Sequence, residues 1–445
     1  MFASPPAVYF RGSGFLAFAY ATFTVVYIAV VGRLFFAVPS KATSFWASIL
    51  AGLLVVDLCI VLAVSRIRAE EGWVGIVSVA WAACVVIFSL FQNGFVAGGI
   101  KEEEERLTGR EETRRTVREW IAVMTETVIL ALAVITALLL TMTLILRAVD
   151  ASLPAPGKKY YVHGNTYQVH IACVGNFTSG SKDDGPTPAV FIEGGHDPVE
   201  YSLQPFIDTA YQDGAINKYC YWDRPGFAWS DNAPSPFSAG MAADVLTEAL
   251  TRAHEQGPWI LVSVGVGGIY SRLFASRNLP QVSGLLLIDS LHEDFLGGVH
   301  GVGGPQRGFL LWLKGVLSPL GFDRLAGALF RGRNRRDRVV GRSAYQGEKL
   351  LKAKLQENLV ASSITRREIQ TARRVGLPDV PLVVVSSGVE VRKNEKWAQK
   401  QRDLRYVTGD LVAWDVVDQA PHEVWKTELG RQVLKSRLRQ LVGRD

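Results

Sequence analysis

The chain has 445 residues, 48% of them hydrophobic, and a formal net charge of +6. That length allows two domains, each able to bury a core of its own. The basic excess fits Lys and Arg flanking membrane segments, and with no zinc spacing, RNA-binding motif or helix-turn-helix pattern the sequence gives no support to nucleic-acid binding.

The hydrophobic excess is concentrated before about residue 150. Four apolar runs, 14–31, 45–64, 73–91 and 121–146, are near the ~20 residues that a helix needs to cross a bilayer. Tyr20, Phe35, Trp46, Trp73 and Trp120 lie near run ends, as an interfacial belt requires. Only Arg11 precedes the first run, which is too long for the core of a cleavable signal, so no such signal is expected. Residues 1–150 are read as a transmembrane region, 151–158 as a Pro/Gly-rich linker, and 159–445 as a second domain.

An even number of spans puts both chain ends on one side. Lys101, Arg106, Arg110, Arg114, Arg115 and Arg118 make the loop before the last span the more basic one. The positive-inside rule then places that loop in the cytoplasm and the large domain on the lumenal or external face. A sequon at Asn176-Phe177-Thr178 agrees, and the organelle stays open. Within the loop, Glu102 with Arg106 and Glu111 with Arg115 have the favourable i,i+4 order, worth about 0.2–0.5 kcal/mol per pair, as on a solvated helix face.

Two carboxylates fall inside spans. Glu126 lies on the same membrane face as Arg33, and a packing ion pair between them is expected. Asp57 has no obvious partner, which leaves a transport or proton-relay role open. Cys59 and Cys84 read as small buried thiols. Cys173 and Cys220 fall on predicted strands, where a disulfide is left open because sequence carries no distance.

From Lys159 the pattern changes to short β-rich runs alternating with amphipathic helices. KYYV and TYQVHIACV read as a hairpin around Gly164-Asn165; AVFIE, KYCYW, WILVSV, GLLLID, PLVVVSS and LVAWDVV follow as strands. A helix capped by Ser238 and another over GGIYSRLFASR separate some of them. This is an α/β pattern, a doubly wound, mostly parallel sheet, whose ligand sites lie at the carboxyl ends of the strands. Those ends carry Gly194-Gly195-His196, the run DRPGFAWSD from Asp223, Gly265-Val266-Gly267-Gly268, Asp289 before His292-Glu293-Asp294, and finally His422.

In that order these features resemble the α/β-hydrolase superfamily, most closely the esterase-like branch with "LVGHSxGG" and "VDSxHED" motifs. The likeness covers about Lys159 to Leu441, with a helical lid at about 291–376, and does not extend to the membrane half. It implies a serine nucleophile on a G-x-S-x-G elbow, a histidine base, an acid partner, and neither cofactor nor metal. Aligned without a gap, Gly265 occupies the nucleophile position. The resemblance assigns the oxyanion donors to Gly194, Gly195 and Val266 and the base to His422, with Asp289, or Glu390 as second choice, as its acid. Ser263, two residues upstream, is the alternative nucleophile, but on a strand it is withdrawn by about 6–7 Å.

The lid run GFLLWLKGVLSPLGFDRLAGALF, followed by Arg331, Arg333, Arg335, Arg336 and Arg338, reads either as a helix over the pocket or as an interfacial helix with arginines at lipid headgroups. Three functions follow. One is a membrane-anchored pseudo-hydrolase that binds a lipophilic small molecule or a protein partner of unknown identity. The second is an active ester or lipid hydrolase, or a non-covalent His-dependent enzyme. The third is a transporter component. Membrane lipid is the partner common to all of them.

Overall fold

The computed structural model describes residues 12–33, 39–109, 116–176, 187–297 and 302–443. Its first four helices are α1 (Phe15–Arg33), α2 (Lys41–Ala63), α3 (Ser65–Thr108) and α4 (Val117–Ala151). Three of them, α2 to α4, are long and apolar enough to cross a membrane, while the apolar part of α1 is shorter, Phe15–Ala29. Three of the four expected spans are thus matched by long apolar helices, and α1, whose side chains are described only as far as Ala29, stands at the place of the first. All four pack as one bundle, in which α1 buries Leu16, Tyr20 and Tyr27 against Leu50, Leu54, Val79 and Val86.

The bundle is apolar outside as well as inside. Trp73, Trp81, Phe88, Phe91, Ile121, Val128 and Ile135 are exposed. A surface this apolar is a liability in water and the normal face of a helix in lipid; the protein is a multi-pass membrane protein. Cys59 and Cys84 correct the expectation of buried thiols: both lie on the exposed side of the bundle. Ser40 caps α2, and Thr116 with Glu119 forms a capping box at the start of α4, each cap worth about 1 kcal/mol. Gly72, at φ 63° and ψ −168°, breaks α3 between its charged start, Arg66 to Glu71, and its apolar remainder.

Asp57 is fully buried and accepts a hydrogen bond from the Tyr20 hydroxyl at 2.7 Å. It thus has the partner, on α1, that the sequence did not reveal. Glu126 is buried in α4, but the Arg33 side chain of the expected ion pair lies outside the described residues, as do Phe177 and Thr178 of the sequon.

The second half is built on an eight-stranded sheet: β1 (Lys158–Val162), β2 (Tyr167–Gly175), β3 (Ala189–Glu193), β4 (Lys218–Asp223), β5 (Trp259–Val264), β6 (Val282–Ile288), β7 (Leu377–Ser387) and β8 (Thr408–Val417). Their order is β1-β2-β4-β3-β5-β6-β7-β8. Only the β1–β2 and β2–β4 pairings are antiparallel. This is the α/β-hydrolase arrangement. Alternate residues enter opposite cores: Trp259, Leu261, Leu285 and Leu287 on one face, Ile260, Val262, Leu286 and Ile288 on the other. Near-continuous apolar strands are what a sheet covered on both faces requires. Cys173 and Cys220 are opposite one another on β2 and β4 and form a disulfide.

The helices between strands are α5 (Gln204–Gln212), α6 (Ala239–Ala253) and α7 (Gly267–Arg277). The lid between β6 and β7 holds α8 (Pro305–Leu317), α9 (Phe322–Phe330), α10 (Arg335–Val340), α11 (Glu348–Val360) and α12 (Arg366–Val375). The short α13 (Gly388–Lys393) and α14 (Glu395–Asp403) precede β8, and α15 (Glu428–Val442) ends the fold.

The two halves are joined by an ionic junction as well as by the chain. Arg147 of α4 reaches Glu70 at 3.3 Å, Glu71 at 2.6 Å and, on the lid, Glu348 at 3.5 Å. Arg338 grips Asp150 at 2.6 Å, and Ser13 donates to Glu348 at 3.1 Å. Most of the lid arginines therefore face protein instead of lipid headgroups: Arg336 pairs with Glu200 at 2.8 Å, Arg333 with Ser343 at 3.1 Å, and Arg335 with the Val149 carbonyl. The reason is proximity, since the lid rests on the ends of α1 and α4 and the carboxylates there claim the cations first. The linker is anchored too. His170, wholly buried, meets the Asp223 carboxylate through Nδ1 at 2.8 Å and the Pro156 carbonyl through Nε2. Both partners only accept, so this imidazole holds both protons.

Candidate active site

The chain turns from β5 into α7 through Gly265, whose φ is +54°. Its amide donates to the Ile288 carbonyl at 3.2 Å and its carbonyl accepts from Leu291 at 2.8 Å, which fixes the turn to the end of β6. A side chain here would begin inside the site: an ideal Cβ on Gly265 stands 3.1 Å from His422 Nε2. Gly267 is required for another reason, because a Cβ there would come within 2.5 Å of the Gly194 carbonyl. The elbow and the β3 loop touch backbone to backbone.

His422 follows β8 on a loop held by Ser387, whose hydroxyl donates to the Ala420 carbonyl at 2.7 Å. Its Nδ1 lies 2.6 Å from Asp289 Oδ2. Asp289 is fully buried directly after β6, and its other oxygen accepts from the Ser387 amide at 3.1 Å and Trp397 Nε1 at 3.0 Å. With the carboxylate taking Nδ1–H, the basic lone pair is on Nε2 and faces Gly265. Burial works against a charge on His422, but the hydrogen bond and charge of Asp289, then Glu390 and Glu423, outweigh it and raise its pKa. Glu390 reaches His422 by charge alone; its amide is bonded to the Ser387 hydroxyl.

Ser263 is placed elsewhere. It is fully buried in β5, in register between Glu193 and Leu287, and its hydroxyl has no hydrogen-bond partner among the described residues. The structure brings Gly265, His422 and Asp289 together and leaves Ser263 out.

The β3 loop is shaped by Arg224. Its guanidinium donates to the carbonyls of Gly194 and Gly195, both at 2.5 Å, and to Glu193 Oε1 at 2.6 Å. Glu357 of the lid holds its Nε at 3.0 Å, and the rings of Phe227 and Tyr270 each lie 4.5 Å away. Drawing both carbonyls toward Arg224 turns the loop so that the Gly195 amide is left without an acceptor among the described residues; the Val266 amide, just before α7, is likewise unpaired. Unpaired backbone amides are the kind of donor that can hold an oxyanion.

Sequence reading quoted Arg224 within its motif but gave it no role, because its partner Glu357 lies 133 residues away. It also gave none to His196, whose Nδ1 is sealed from solvent and unpartnered. Burial first, then the charges of Arg307, Lys354, Arg224 and His422, push His196 down to about 3, so it is neutral. The pair His292–Glu293 is structural: Glu293 is clamped by Arg272 at 2.8 Å and by Arg373, and these charges hold it near 2 against the effect of burial.

Residues 1–173 match a family model described as a region of unknown function (DUF2417). An uncharacterised protein of Schizosaccharomyces pombe is 31% identical over 99% of this chain and 86% of its own length. An uncharacterised vacuolar membrane protein of Saccharomyces cerevisiae is 28% identical over 75% of this chain, which spans 59% of that relative. Among solved structures, the Cif epoxide hydrolase of Acinetobacter nosocomialis superposes with a TM-score of 0.48 at 16% identity, covering 68% of this chain and 96% of its own.

Proposed function

The chain belongs to the same family as the Schizosaccharomyces pombe protein, and we propose that it is a membrane-anchored pseudo-hydrolase that binds a lipophilic ligand at the elbow without forming a covalent intermediate. One observation carries this reading: His422 Nε2 is aimed at the point 3.1 Å away where a nucleophile's Cβ would begin, and Gly265 supplies no atom there. Acyl transfer needs an attacking atom beside the base. The remaining machinery, a His–Asp pair and two free amides, suits a bound carbonyl or carboxylate oxygen.

The lid supports a lipophilic ligand. Phe309, Leu310, Leu313 and Leu317 of α8 and Phe322, Leu329 and Phe330 of α9 are exposed, on helices that rest against the ends of the membrane bundle. An apolar face at that level lies at the bilayer interface. For location, the Saccharomyces cerevisiae relative favours the vacuolar membrane, and the Cys173–Cys220 disulfide favours the lumenal face for the hydrolase-type domain.

A second reading keeps His422 as a general base acting on water, since its pair with Asp289 is intact at 2.6 Å. Fluorophosphonate labelling separates the two from a serine hydrolase, and ester turnover separates them from each other. The wild type should not be labelled and should not turn over short- or long-chain esters above a His422→Ala control. Gly265→Ser should gain labelling; the new residue at φ +54° bears roughly 1–2 kcal/mol of backbone strain. Labelling of the wild type that Ser263→Ala abolishes would overturn both readings. Turnover lost in His422→Ala, without labelling, would select the second.

A further inference from the structure

Where the lid meets the bundle, two hollows adjoin. The first is an apolar groove of about 450 Å³ between α1 and α4, running from Phe18 to Tyr27 on one wall and closed at the lid end by Val316, Leu317 and Leu320. The second, of about 250 Å³, is walled partly by Leu317 and Phe322 but carries the charged side chains of Lys314, Asp323, Arg324 and Glu348. Leu317 belongs to both walls. Gly315 of α8 lies directly on the Phe15 ring that begins α1, so the lid end sits at the membrane surface. From Phe18 to Tyr27 a helix rises about 14 Å, close to half of a ~30 Å hydrocarbon layer. The groove thus has the depth of one leaflet.

The charges at the top of this groove do not balance. Arg66, Arg147, Arg324, Arg338, Lys349 and Lys352 face the carboxylates of Glu70, Glu71, Asp150 and Glu348. Arg147, Arg338, Arg66 and Lys349 each have a carboxylate within 4 Å, and Lys352 donates to the Gly12 carbonyl at 2.9 Å. Arg324 has neither an ion pair nor a hydrogen bond among the described residues, yet it borders both the ionic junction and the second hollow. Glu348 is already held by Arg147 and Ser13. An anion entering the hollow would therefore meet Lys314 and Arg324, with Asp323 and the already paired Glu348 as the opposing charges. Arg324 is half-buried and has no carboxylate in direct contact, so an anion placed there gains a charge-assisted hydrogen bond.

We propose that the two hollows form one site for an anionic phospholipid of the surrounding leaflet, with an acyl chain in the α1–α4 groove below Leu317 and its phosphate on Arg324 and Lys314. The site is separate from the elbow and stands whether or not the elbow binds a ligand.

Native mass spectrometry of the full-length protein in detergent tests it, with phosphatidylglycerol and phosphatidylcholine of matched chains added in competition. The wild type should retain phosphatidylglycerol about tenfold better, the scale of one charge-assisted contact. Arg324→Gln with Lys314→Gln should erase the preference by lowering phosphatidylglycerol retention to that of phosphatidylcholine, and Ala133→Trp, which fills the groove, should reduce both. Equal retention of the two lipids by the wild type, which needs no variant to fold, overturns the proposal. So does full phosphatidylglycerol retention in Ala133→Trp, or binding of sn-glycerol 3-phosphate alone with the same affinity as the lipid.

Discussion

Two histidine–aspartate pairs in this molecule look alike at one nitrogen and differ at the other. His170 and His422 both place Nδ1 on a buried carboxylate, at 2.8 Å from Asp223 and 2.6 Å from Asp289. The Nε2 of His170 is used up by the Pro156 carbonyl, so the pair fastens the linker to the sheet. The Nε2 of His422 points at Gly265 and is left with its lone pair free. A His–Asp pair is thus no signature of chemistry; what the second nitrogen meets decides whether it braces or reacts.

The sharpest way to break the distinction is to treat the two aspartates alike. In the Gly265→Ser background, Asp289→Asn should slow fluorophosphonate labelling about 10⁴-fold, through loss of the reactive tautomer. Asp223→Asn should leave labelling of the folded protein unchanged and lower its stability in detergent by about 3–5 kcal/mol, the cost of breaking a buried ion pair. If the effects were exchanged, the assignment of brace and base would be reversed. A smaller effect is expected from Arg224→Lys in the Gly265→Ser background. A lysine cannot hold the carbonyls of Gly194 and Gly195 together, and labelling should slow about 100-fold, the scale of one oxyanion donor.

The smallest effects are in pH dependence, and the histidines divide again. Burial opposes the charge on His170, but Asp223, Pro156 and Glu200 raise its pKa above the ordinary value. Its stabilisation is complete below about pH 6.5 and is lost as pH rises through the raised value. Stability measured by chemical denaturation should fall less steeply above neutrality in His170→Gln than in the wild type. His196, held near 3, has the opposite sign: the unfolded chain takes up its proton first, so stability declines as pH falls below about 6.5. His196→Asn should flatten the acid side. Identical slopes in variant and wild type would show that neither ring titrates as its surroundings require.

Much of this was legible in the chain because it depends on local order. Apolar run length marks α2 to α4, period-two alternation marks the strands, and Gly265 stands at a fixed offset within an elbow motif. What was hidden depends on distant partners. Tyr20 and Asp57 are 37 residues apart, and Arg338 and Asp150 are 188 apart. The surroundings of the lid arginines stayed open between water and lipid headgroups because nothing in a basic run announces which carboxylates will surround it. The Cys173–Cys220 pairing required a strand order, β2 beside β4, that sequence leaves open until the crossover is known.

That disulfide has a practical consequence for anyone who handles the protein. The two cysteines are 47 positions apart, and the chain between them includes β3 and α5. A protease that nicks the chain anywhere between them will release nothing: the two fragments will migrate as one band on a gel, and only reductant will reveal the cut. A reduced-against-unreduced gel of digested membranes would therefore report at once whether the cysteines are joined in the cell.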